Sequence, residues 1–261
     1  MQNNIFSTLF IGQNLIKLLR IDSTNNFLKK TLSNSEPLPE GTVIMADEQY
    51  AGRGQQEGIW KAEAGKNLTF SLFLKPHFLL PAQQFYLNIM ISVAINQVIG
   101  ELLGDDIKIK WPNDIYFRNK KLGGILIENN VTGHVIKSSV IGIGINVNQM
   151  AFEEDLADKA TSICQILKKP LDLMPLLAAL CKAIEQQYLH LRSGQYTKMT
   201  QNYVNSLYRF QELAAYQKDG KVFEGKIIGV DETGRLKMDV QGETQLFNFK
   251  EIQFLNHFDK K

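Results

Sequence analysis

Residues 110–114 have the sequence Lys-Trp-Pro-Asn-Asp (KWPND), and the segments on either side of this motif decide the fold of the chain. Ahead of it, residues 107–111 alternate apolar and polar side chains, as a strand with one exposed face does. After it, residues 115–117 and 124–128 predict the two strands of a hairpin, joined across the polar segment 118–121. The motif is therefore expected at a turn within a β-sheet.

Further strands and one long helix are predicted on both sides of this motif. Residues 41–49 form a β-branched run typical of a buried strand, and residues 67–74 alternate, which predicts a strand with one face in water. A helix is predicted to begin at Pro81 and to end at Gly104, because proline favours the first turn of a helix and glycine its end. Residues 134–148 supply another strand or a pair of strands.

The pattern changes toward the end of the chain. Residues 173–191 have apolar side chains at helical spacing, and residues 196–207 are expected to continue as helix. In residues 212–254, short alternating runs are separated by turn signals, which predicts a small all-β barrel of roughly five strands. We therefore expect a large domain over residues 1–209 and a small one over residues 210–261.

The composition is that of an ordinary globular protein. Of the 261 residues, 44% are hydrophobic and 21% charged, and this length allows a proper core. Lys and Arg number 29 against 27 Asp and Glu, so no basic excess indicates a nucleic-acid partner. Neither a secretory signal nor an apolar run near the ~20 residues of a membrane span is visible. We therefore expect a cytoplasmic protein in which Cys164 and Cys181 are reduced packing residues.

Residues 52–60 (GRGQQEGIW) form a glycine-rich loop directly after a predicted strand. Glycines let a backbone approach a ligand closely and present its N–H groups to an anion. Arg53 adds a bidentate cation that suits a carboxylate or a phosphate, and Trp60 could lie against a flat ring. The loop matches neither common nucleotide-binding fingerprint, so a plain turn is the alternative interpretation.

Two further segments contain candidate site residues. Lys108 and Lys110 point to one face of their strand, and a lysine at a strand end can be held rigidly beside a ligand. A solvated charge at the edge of the sheet is the alternative. In residues 142–148 (GIGINVN), alternating glycines indicate that another group packs against the strand backbone, or that the strand contains a bulge.

Taken together and in this order, the motifs resemble the biotin–protein ligase family. The resemblance rests on Ser23-Thr24-Asn25, residues 49–60, KWPND with the following KLGGIL at 121–126, and GIGIN at 142–146. It covers roughly residues 18–256, because the β-rich C-terminal part is similar to the small SH3-like domain that these enzymes carry.

The resemblance implies an α/β (α+β) fold, a mixed β-sheet flanked by helices that is related to lipoate ligases and to the class II aminoacyl-tRNA synthetase core. It implies that ATP and biotin are the substrates, that Mg²⁺ accompanies the ATP phosphates, and that biotinyl-5'-AMP is the intermediate. The biotin group would pass to a lysine of a biotin carboxyl carrier protein or domain of acetyl-CoA carboxylase or a related carboxylase. Members of the family can form a homodimer through the edge of the central sheet.

The resemblance also implies roles for individual residues. The implied catalytic residues are Lys110 and Arg53, which would stabilise charge at the reacting carboxylate and the α-phosphate. The implied biotin site consists of Ser23, Thr24, Asn25, Gln49, Gly52, Arg53, Gly54, Gln55, Lys110, Gly124 and Gly142. The implied nucleotide site consists of Arg53, Trp60, Asn113, Lys121 and Asn146, with Mg²⁺ near Asn146.

The chain departs from the family pattern in two ways. Gln55, Gln56 and Gly58 stand where the loop of the family is commonly basic, and Glu57 stands where glycine is frequent. We therefore expect weaker retention of biotinyl-adenylate than in the arginine-rich members. The ligase motifs begin at Ser23, so we also expect no N-terminal DNA-binding domain and no binding to DNA.

Two alternative functions stay open on the sequence. A lipoate–protein ligase or an octanoyl transferase uses the same scaffold with another acyl group. A biotin-sensing regulator would bind the vitamin without much catalysis. KWPND, GIGIN and the β-rich C-terminal part favour the biotin ligase over both.

Overall fold

The larger of two sheets has seven strands, in a computed structural model that describes residues 6–33, 38–55 and 58–255. The strands are β1 (Leu15–Ile21), β2 (Val43–Gln49), β3 (Leu68–Leu74), β4 (Ile107–Lys110), β5 (Asp114–Phe117), β6 (Lys120–Thr132) and β7 (Val135–Ile145). Their order across the sheet is β1-β2-β3-β7-β6-β5-β4. β1 runs parallel to β2 and the other neighbouring pairs are antiparallel, which confirms the predicted mixed sheet.

Helices cover both faces of this sheet. They are α1 (Thr24–Ser33), α2 (Phe85–Leu103), α3 (Ile163–Leu167), α4 (Leu173–Arg192) and α5 (Tyr196–Asn205). Leu28 of α1 packs with Ile44, Phe73 and Val140 on one face, while α2, α4 and α5 contribute to the main core on the other. The prediction of a helix from Pro81 to Gly104 is confirmed, with a 3₁₀ turn at Pro81–Gln83 ahead of α2.

The prediction that β3 has one face in water is wrong, because every residue of this strand is buried. The polar residues Thr69 and Ser71 that create the alternation are both buried, and the Ser71 hydroxyl contacts Thr24 and Asn25 of α1. In β3, the alternation therefore indicates a strand face that borders a polar cavity, and not a face in contact with solvent.

The helical segment Pro81–Leu103, which joins the 3₁₀ turn to α2, is long and apolar enough to cross a membrane by length and composition alone, so the expectation that no apolar stretch approaches that length is corrected. Most of its residues are buried inside the protein, including Leu87, Met90 and Ile91, which are fully covered. The helix lies between the sheet and α4, and core packing accounts for its apolar composition.

The second sheet follows α5 and has five antiparallel strands. They are β8 (Leu213–Lys218), β9 (Lys221–Val230), β10 (Leu236–Val240), β11 (Glu243–Phe247) and β12 (Gln253–Phe254). The predicted small C-terminal β domain is confirmed, with strand order β11-β10-β9-β8-β12. We propose that the domain boundary lies near residue 210, between the end of α5 and the start of β8.

The C-terminal domain contacts the KWPND segment directly. The indole nitrogen of Trp111 donates a hydrogen bond to the carbonyl oxygen of Gly234 at 2.9 Å. Phe249 packs against Trp111 and Phe85, with ring centroids 5.3 and 5.9 Å away. The turn after β4 is therefore also a docking point for the second domain.

Candidate active site

A cavity of about 320 Å³ lies on the face of the central sheet that carries α1. The lining includes Gly142 and Gly144 of β7 and Gly124 of β6, and Gly124 is paired with Gly144. Ser71 of β3 is paired with Gly142 from the other side. Three glycines on one face of adjacent strands leave the backbone uncovered, so other groups can lie directly on the sheet.

The beginning of α1 closes one end of the cavity with polar groups. The Thr24 N–H and hydroxyl both donate to Gln49 Oε1, at 2.7 and 3.0 Å. The Ser71 hydroxyl lies 2.7 Å from Thr24 Oγ1 and 2.6 Å from Asn25 Oδ1. Ser23 is buried beside them and lines the cavity. These contacts leave Gln49 Nε2 without a partner in the part of the chain that the structure describes, so it can donate to a ligand.

The lack of a side chain at Gly142 explains how Asn25 can lie close to the backbone of β7. A Cβ atom at position 142 would be 2.6 Å from Asn25 Oδ1, which is closer than real atoms approach. The amide of Asn25 is fixed from its other end, since Nδ2 donates to Glu128 Oε2 at 2.8 Å. The predicted close approach to a glycine of β7 is therefore observed, and a side chain of the protein makes it.

The described residues of the glycine-rich loop fold back against the cavity as a small flap. We define the flap as residues 52–55 and 58–60, because Gln56 and Glu57 lie outside the described residues. Arg53 forms an isolated antiparallel bridge with Ile59, and the Gly54 N–H donates to the Gly58 carbonyl at 2.6 Å. Arg53, Gly54, Gln55 and Trp60 of this flap all line the cavity.

Trp60 lies directly on the backbone of β7. A Cβ atom at Gly144 would be 2.5 Å from Trp60 Cε2, so only glycine leaves room for the indole. Its Nε1 is buried and has no hydrogen-bond partner among residues 6–33, 38–55 and 58–255. A buried donor without an acceptor is costly, so a ligand that accepts this bond would be favoured.

Arg53 is held at the cavity by side chains of other elements. Its Nη1 donates to Asn26 Oδ1 at 2.8 Å and lies 3.1 and 3.3 Å from the two carboxylate oxygens of Glu128. Lys29 donates to the same carboxylate at 2.6 Å. Two cations around one carboxylate leave a positive charge near the cavity.

A second cationic group comes from the start of β6. Lys121 Nζ lies 2.6 Å from Asp114 Oδ1, and both side chains line the cavity. Asn113 beside them is buried, and its Nδ2 donates a hydrogen bond to the Ile125 carbonyl. The Asn-Asp end of KWPND therefore fixes β6 and orients Lys121.

The C-terminal domain adds a third cation, Lys250, to the cavity lining. It lies three residues before β12 with a positive φ of 62°, in the turn that also carries Phe249. The sequence offers no signal for this residue, because its position depends on how the second domain docks against Trp111.

Lys110 is not where the resemblance implies. Its Nζ donates to Tyr116 Oη at 3.1 Å and lies 4.8 and 5.1 Å from the ring centroids of Tyr116 and Phe254. Lys110 is absent from the described cavity lining, and burial lowers the pKa of its amine. The prediction that it lies with Arg53 at one anionic spot is therefore wrong. Its long side chain follows the sheet surface to the aromatic contact with β12 instead.

Two other implied residues also lie outside the lining. The Asn146 N–H donates to the Leu122 carbonyl at 2.8 Å and its Nδ2 to the Thr161 carbonyl at 3.1 Å, so it joins the end of β7 to neighbouring segments. Gly52 is buried at the base of the flap, where a Cβ atom would be 2.3 Å from the Trp60 carbonyl oxygen. Both residues pack against segments that line the cavity, but do not line it themselves.

Most of the implied residues do meet at this one cavity. Those that line it are Ser23, Thr24, Asn25, Gln49, Arg53, Gly54, Gln55, Trp60, Asn113, Lys121, Gly124 and Gly142. Lining residues that sequence reasoning missed include Asp114, Thr69, Leu126, Gly144 and Lys250. Asp114 and Gly144 belong to the quoted motifs and could have been found by strand parity, since they share the face of Gly124.

A family model described as the biotin/lipoate A/B protein ligase family matches residues 18–146. The bifunctional ligase/repressor BirA of Bacillus spizizenii is 33% identical over 240 residues, which is 90% of this chain and 72% of that protein. The biotin–[acetyl-CoA-carboxylase] ligase of Paracoccus denitrificans is 34% identical over 133 residues, which is 50% of this chain and 53% of that protein.

The fold agrees with these sequence matches. A solved structure of the biotin protein ligase from Aquifex aeolicus, in complex with biotin and ATP, superposes with a TM-score of 0.78 at 25% identity. The match covers 94% of this chain and 99% of that one. This chain belongs to the biotin/lipoate A/B protein ligase family, within its biotin protein ligases.

Proposed function

We propose that this protein activates biotin with ATP and transfers the biotinyl group to a lysine of a biotin carboxyl carrier protein or domain. The observation that carries the proposal is one cavity with a polar end at Thr24 and Gln49 and with cations at Arg53 and Lys121. A small carboxylic acid with a polar ring system fits such a distribution of groups.

In the first half-reaction, a carboxylate oxygen of biotin bonds to the α-phosphorus of ATP and pyrophosphate leaves with the electrons of the broken P–O bond. This step brings two anions together, so cations and N–H donors must be in place beforehand. Arg53 and Lys121 line the cavity and are the groups we assign to this charge. Lys121 thus takes the role that the resemblance implied for Lys110.

The polar end of the cavity is the proposed site for the ureido ring of biotin. Gln49 has its oxygen engaged by Thr24, which leaves its NH₂ group to donate to the ureido oxygen. Trp60, which lies on Gly144 and whose Nε1 has no partner among the described residues, is assigned to the nucleotide side. The flap would exclude water from the reactive acyl-adenylate.

In the second half-reaction, the neutral ε-amine of the acceptor lysine attacks the acyl carbon of biotinyl-5'-AMP. The C–N bond forms, the bond to the phosphate oxygen breaks, AMP leaves and the amine loses a proton. No nucleophile from the chain is required, because the mixed anhydride is already activated. Lys121 and Arg53 would stabilise the leaving phosphate.

Mg²⁺ enters this proposal as the counter-ion of ATP. It favours a site with one or two carboxylates and the phosphate oxygens of the substrate. Asp114 is the single carboxylate among the described lining residues, which fits such a site next to Lys121. When bound, the ion would neutralise the triphosphate and help pyrophosphate to leave.

A lipoate ligase or an octanoyl transferase is the alternative within the same family. The buried polar groups around Ser71 and Gln49 argue against it, because an alkyl chain or a dithiolane ring would leave Gln49 Nε2 without a partner. We also propose a cytoplasmic location, which agrees with the two free, buried cysteines.

The proposal is tested by incubating the purified protein with ATP, Mg²⁺, biotin and a biotin carboxyl carrier domain. The mass of the carrier should increase by one biotinyl group, and a carrier with its acceptor lysine changed to arginine should stay unmodified. A mass increase with lipoate or octanoate and none with biotin would overturn the assignment.

A further inference from the structure

Glu128 is the centre of a group of charged and polar side chains beside the cavity. Its carboxylate accepts hydrogen bonds from Lys29 at 2.6 Å, from Asn25 at 2.8 Å and from Arg53 at 3.1 and 3.3 Å. These partners come from α1 and from the flap, whereas Glu128 itself is on β6. One carboxylate therefore joins three separate parts of the site.

Glu128 is better protected from water than a usual surface carboxylate. Its side chain is 22% exposed, against 38% for Arg53 and 42% for Lys29. Exposed ion pairs contribute little to stability. The interaction free energy of a half-buried carboxylate with several donors is reduced less by solvent screening and by side-chain entropy. Its partial burial raises the pKa, yet the bonds from Lys29 and Asn25 outweigh this effect and the pKa lies below its usual value.

The same carboxylate is connected to the polar end of the cavity. Asn25 donates to Glu128 with Nδ2 and contacts Ser71 through Oδ1 at 2.6 Å. Ser71 in turn contacts Thr24, which binds Gln49. A chain of hydrogen bonds thus runs from Glu128 to the groups assigned to the ureido ring.

We propose that Glu128 is a positioning residue that holds the flap closed over the cavity by binding Arg53, and that it orients Asn25 in the same arrangement. Glu128 does not line the cavity in the described part of the chain, so it acts through these two residues. The flap carries glutamine at position 55, so Arg53 is the cation of its described residues, and the position of this one side chain decides where the charge lies.

Lys29 also binds Glu128, and its role has to be separated from that of Arg53. Lys29 is on α1, which is fixed to the sheet by buried residues such as Leu28, so it does not depend on Glu128 for its place. Arg53 is on the flap, where Asn26 is its other side-chain acceptor. Loss of the carboxylate should therefore release Arg53 and leave Lys29 and α1 in place.

Trypsin cleavage after Arg53 measures this release without any substrate. In Glu128→Gln, the rate of cleavage between Arg53 and Gly54 should rise about tenfold, because a charge-assisted hydrogen bond is lost and the flap opens more often. Cleavage between Lys168 and Lys169, in an exposed loop, serves as the internal reference and should not change.

Glu153→Gln is the matched control. Glu153 forms an exposed pair with Lys61 at 2.6 Å, directly after the flap, but makes no contact with Arg53. This variant should keep the cleavage rate of the wild type at Arg53. Lys29→Met should change it by less than Glu128→Gln does.

Biotin-dependent exchange of pyrophosphate into ATP supplies the second readout, which rests on the proposed function. Glu128→Gln should raise the KM for biotin about tenfold and leave kcat within about twofold, because fewer molecules have a closed flap at any moment. In an Arg53→Gln background, the same change should have little further effect on KM, since the two residues act as one unit.

The outcomes separate this inference from the proposed function. An unchanged cleavage rate at Arg53 in a folded Glu128→Gln protein would overturn it, whatever the enzyme assay gives. A KM for biotin that falls would also overturn it, because Glu128 would then withdraw Arg53 from the ligand. Exchange absent from the wild-type protein would count against the proposed function and leave the cleavage result intact.

Discussion

Trp60 and Gly144 are in direct contact, with the indole of the flap lying on the bare backbone of β7. A Cβ atom on Gly144 would be 2.5 Å from Trp60 Cε2, well inside van der Waals distance. Of the two alternating glycines in GIGIN, Gly144 is explained by this ring, and Gly142 by Asn25, whose Oδ1 would lie 2.6 Å from a Cβ atom there. The flap can close over the cavity because this strand has no side chain there.

Gly144→Ala should displace Trp60 and weaken nucleotide binding. The new methyl group would force the indole off the strand, so the KM for ATP in the exchange assay should rise about tenfold. Gly100→Ala is the control, because a Cβ at this helical position meets no atom within 4 Å. It should leave KM unchanged and stabilise α2 by about 0.5–1 kcal/mol. An unchanged KM for ATP in Gly144→Ala would contradict the assignment of Trp60.

Trp111→Phe should loosen the C-terminal domain. The substitution removes the donor to the Gly234 carbonyl, and an unsatisfied buried group costs about 1–3 kcal/mol. Urea unfolding should show a lower midpoint, and the KM for ATP should rise because Lys250 comes from the same domain. A variant with an unchanged midpoint would show that the hydrogen bond does not hold the domain in place.

Asp231 should make the C-terminal domain sensitive to acid. Partial burial acts to raise its pKa, but hydrogen bonds from Thr233 and Arg235 outweigh this and lower the pKa. A lowered pKa contributes stability that is present above the ordinary value of about 3.9 and is lost as the pH falls through the folded value. The difference in Tm between wild type and Asp231→Asn should therefore be constant from pH 7 to about 5 and shrink below about pH 4. A difference that grows as the pH falls would contradict this account.

Cys181 should be unreactive in the folded protein. The prediction that both cysteines are packing residues is confirmed, since Cys164 and Cys181 are free and buried. Burial, with a contribution from Glu185, raises the pKa of the Cys181 thiol to about 12. At pH 8 almost no thiolate is present, so iodoacetamide should label Cys181 only after unfolding. Rapid labelling of the native protein would contradict the packing described for α4.

Much of the fold could be predicted from the sequence because its signals are local. Pro81 begins the 3₁₀ turn ahead of α2 and Gly104 ends α2, and the strands around KWPND follow from alternation. β3 shows where alternation misleads, because its polar residues face a cavity and not water. Whether a polar face meets solvent depends on α1, which is adjacent in space but distant along the chain from β3.

Glycines gave a clearer sequence signal in the site than long side chains did. Gly142 and Gly144 lie where a close approach to the backbone was expected. Lys110 and Lys121 occupy one face of the sheet, and strand parity alone could not decide which amine reaches the cavity. Phe254 and Lys250 come from the second domain, so their contacts could not be inferred from local patterns.

The cavity bounded by Arg53 and Lys121 should activate biotin, with Lys121 rather than Lys110 acting on the reacting anions. Exchange of labelled pyrophosphate into ATP by wild type, Lys121→Gln and Lys110→Met, with Tm recorded for each, decides between the two lysines. We expect exchange that depends on biotin and ignores lipoate. We also expect a loss of about 10²–10³-fold in Lys121→Gln and a rate within about threefold of wild type in Lys110→Met. Exchange that survives in Lys121→Gln but is lost in a folded Lys110→Met, or that responds only to lipoate, would contradict this assignment.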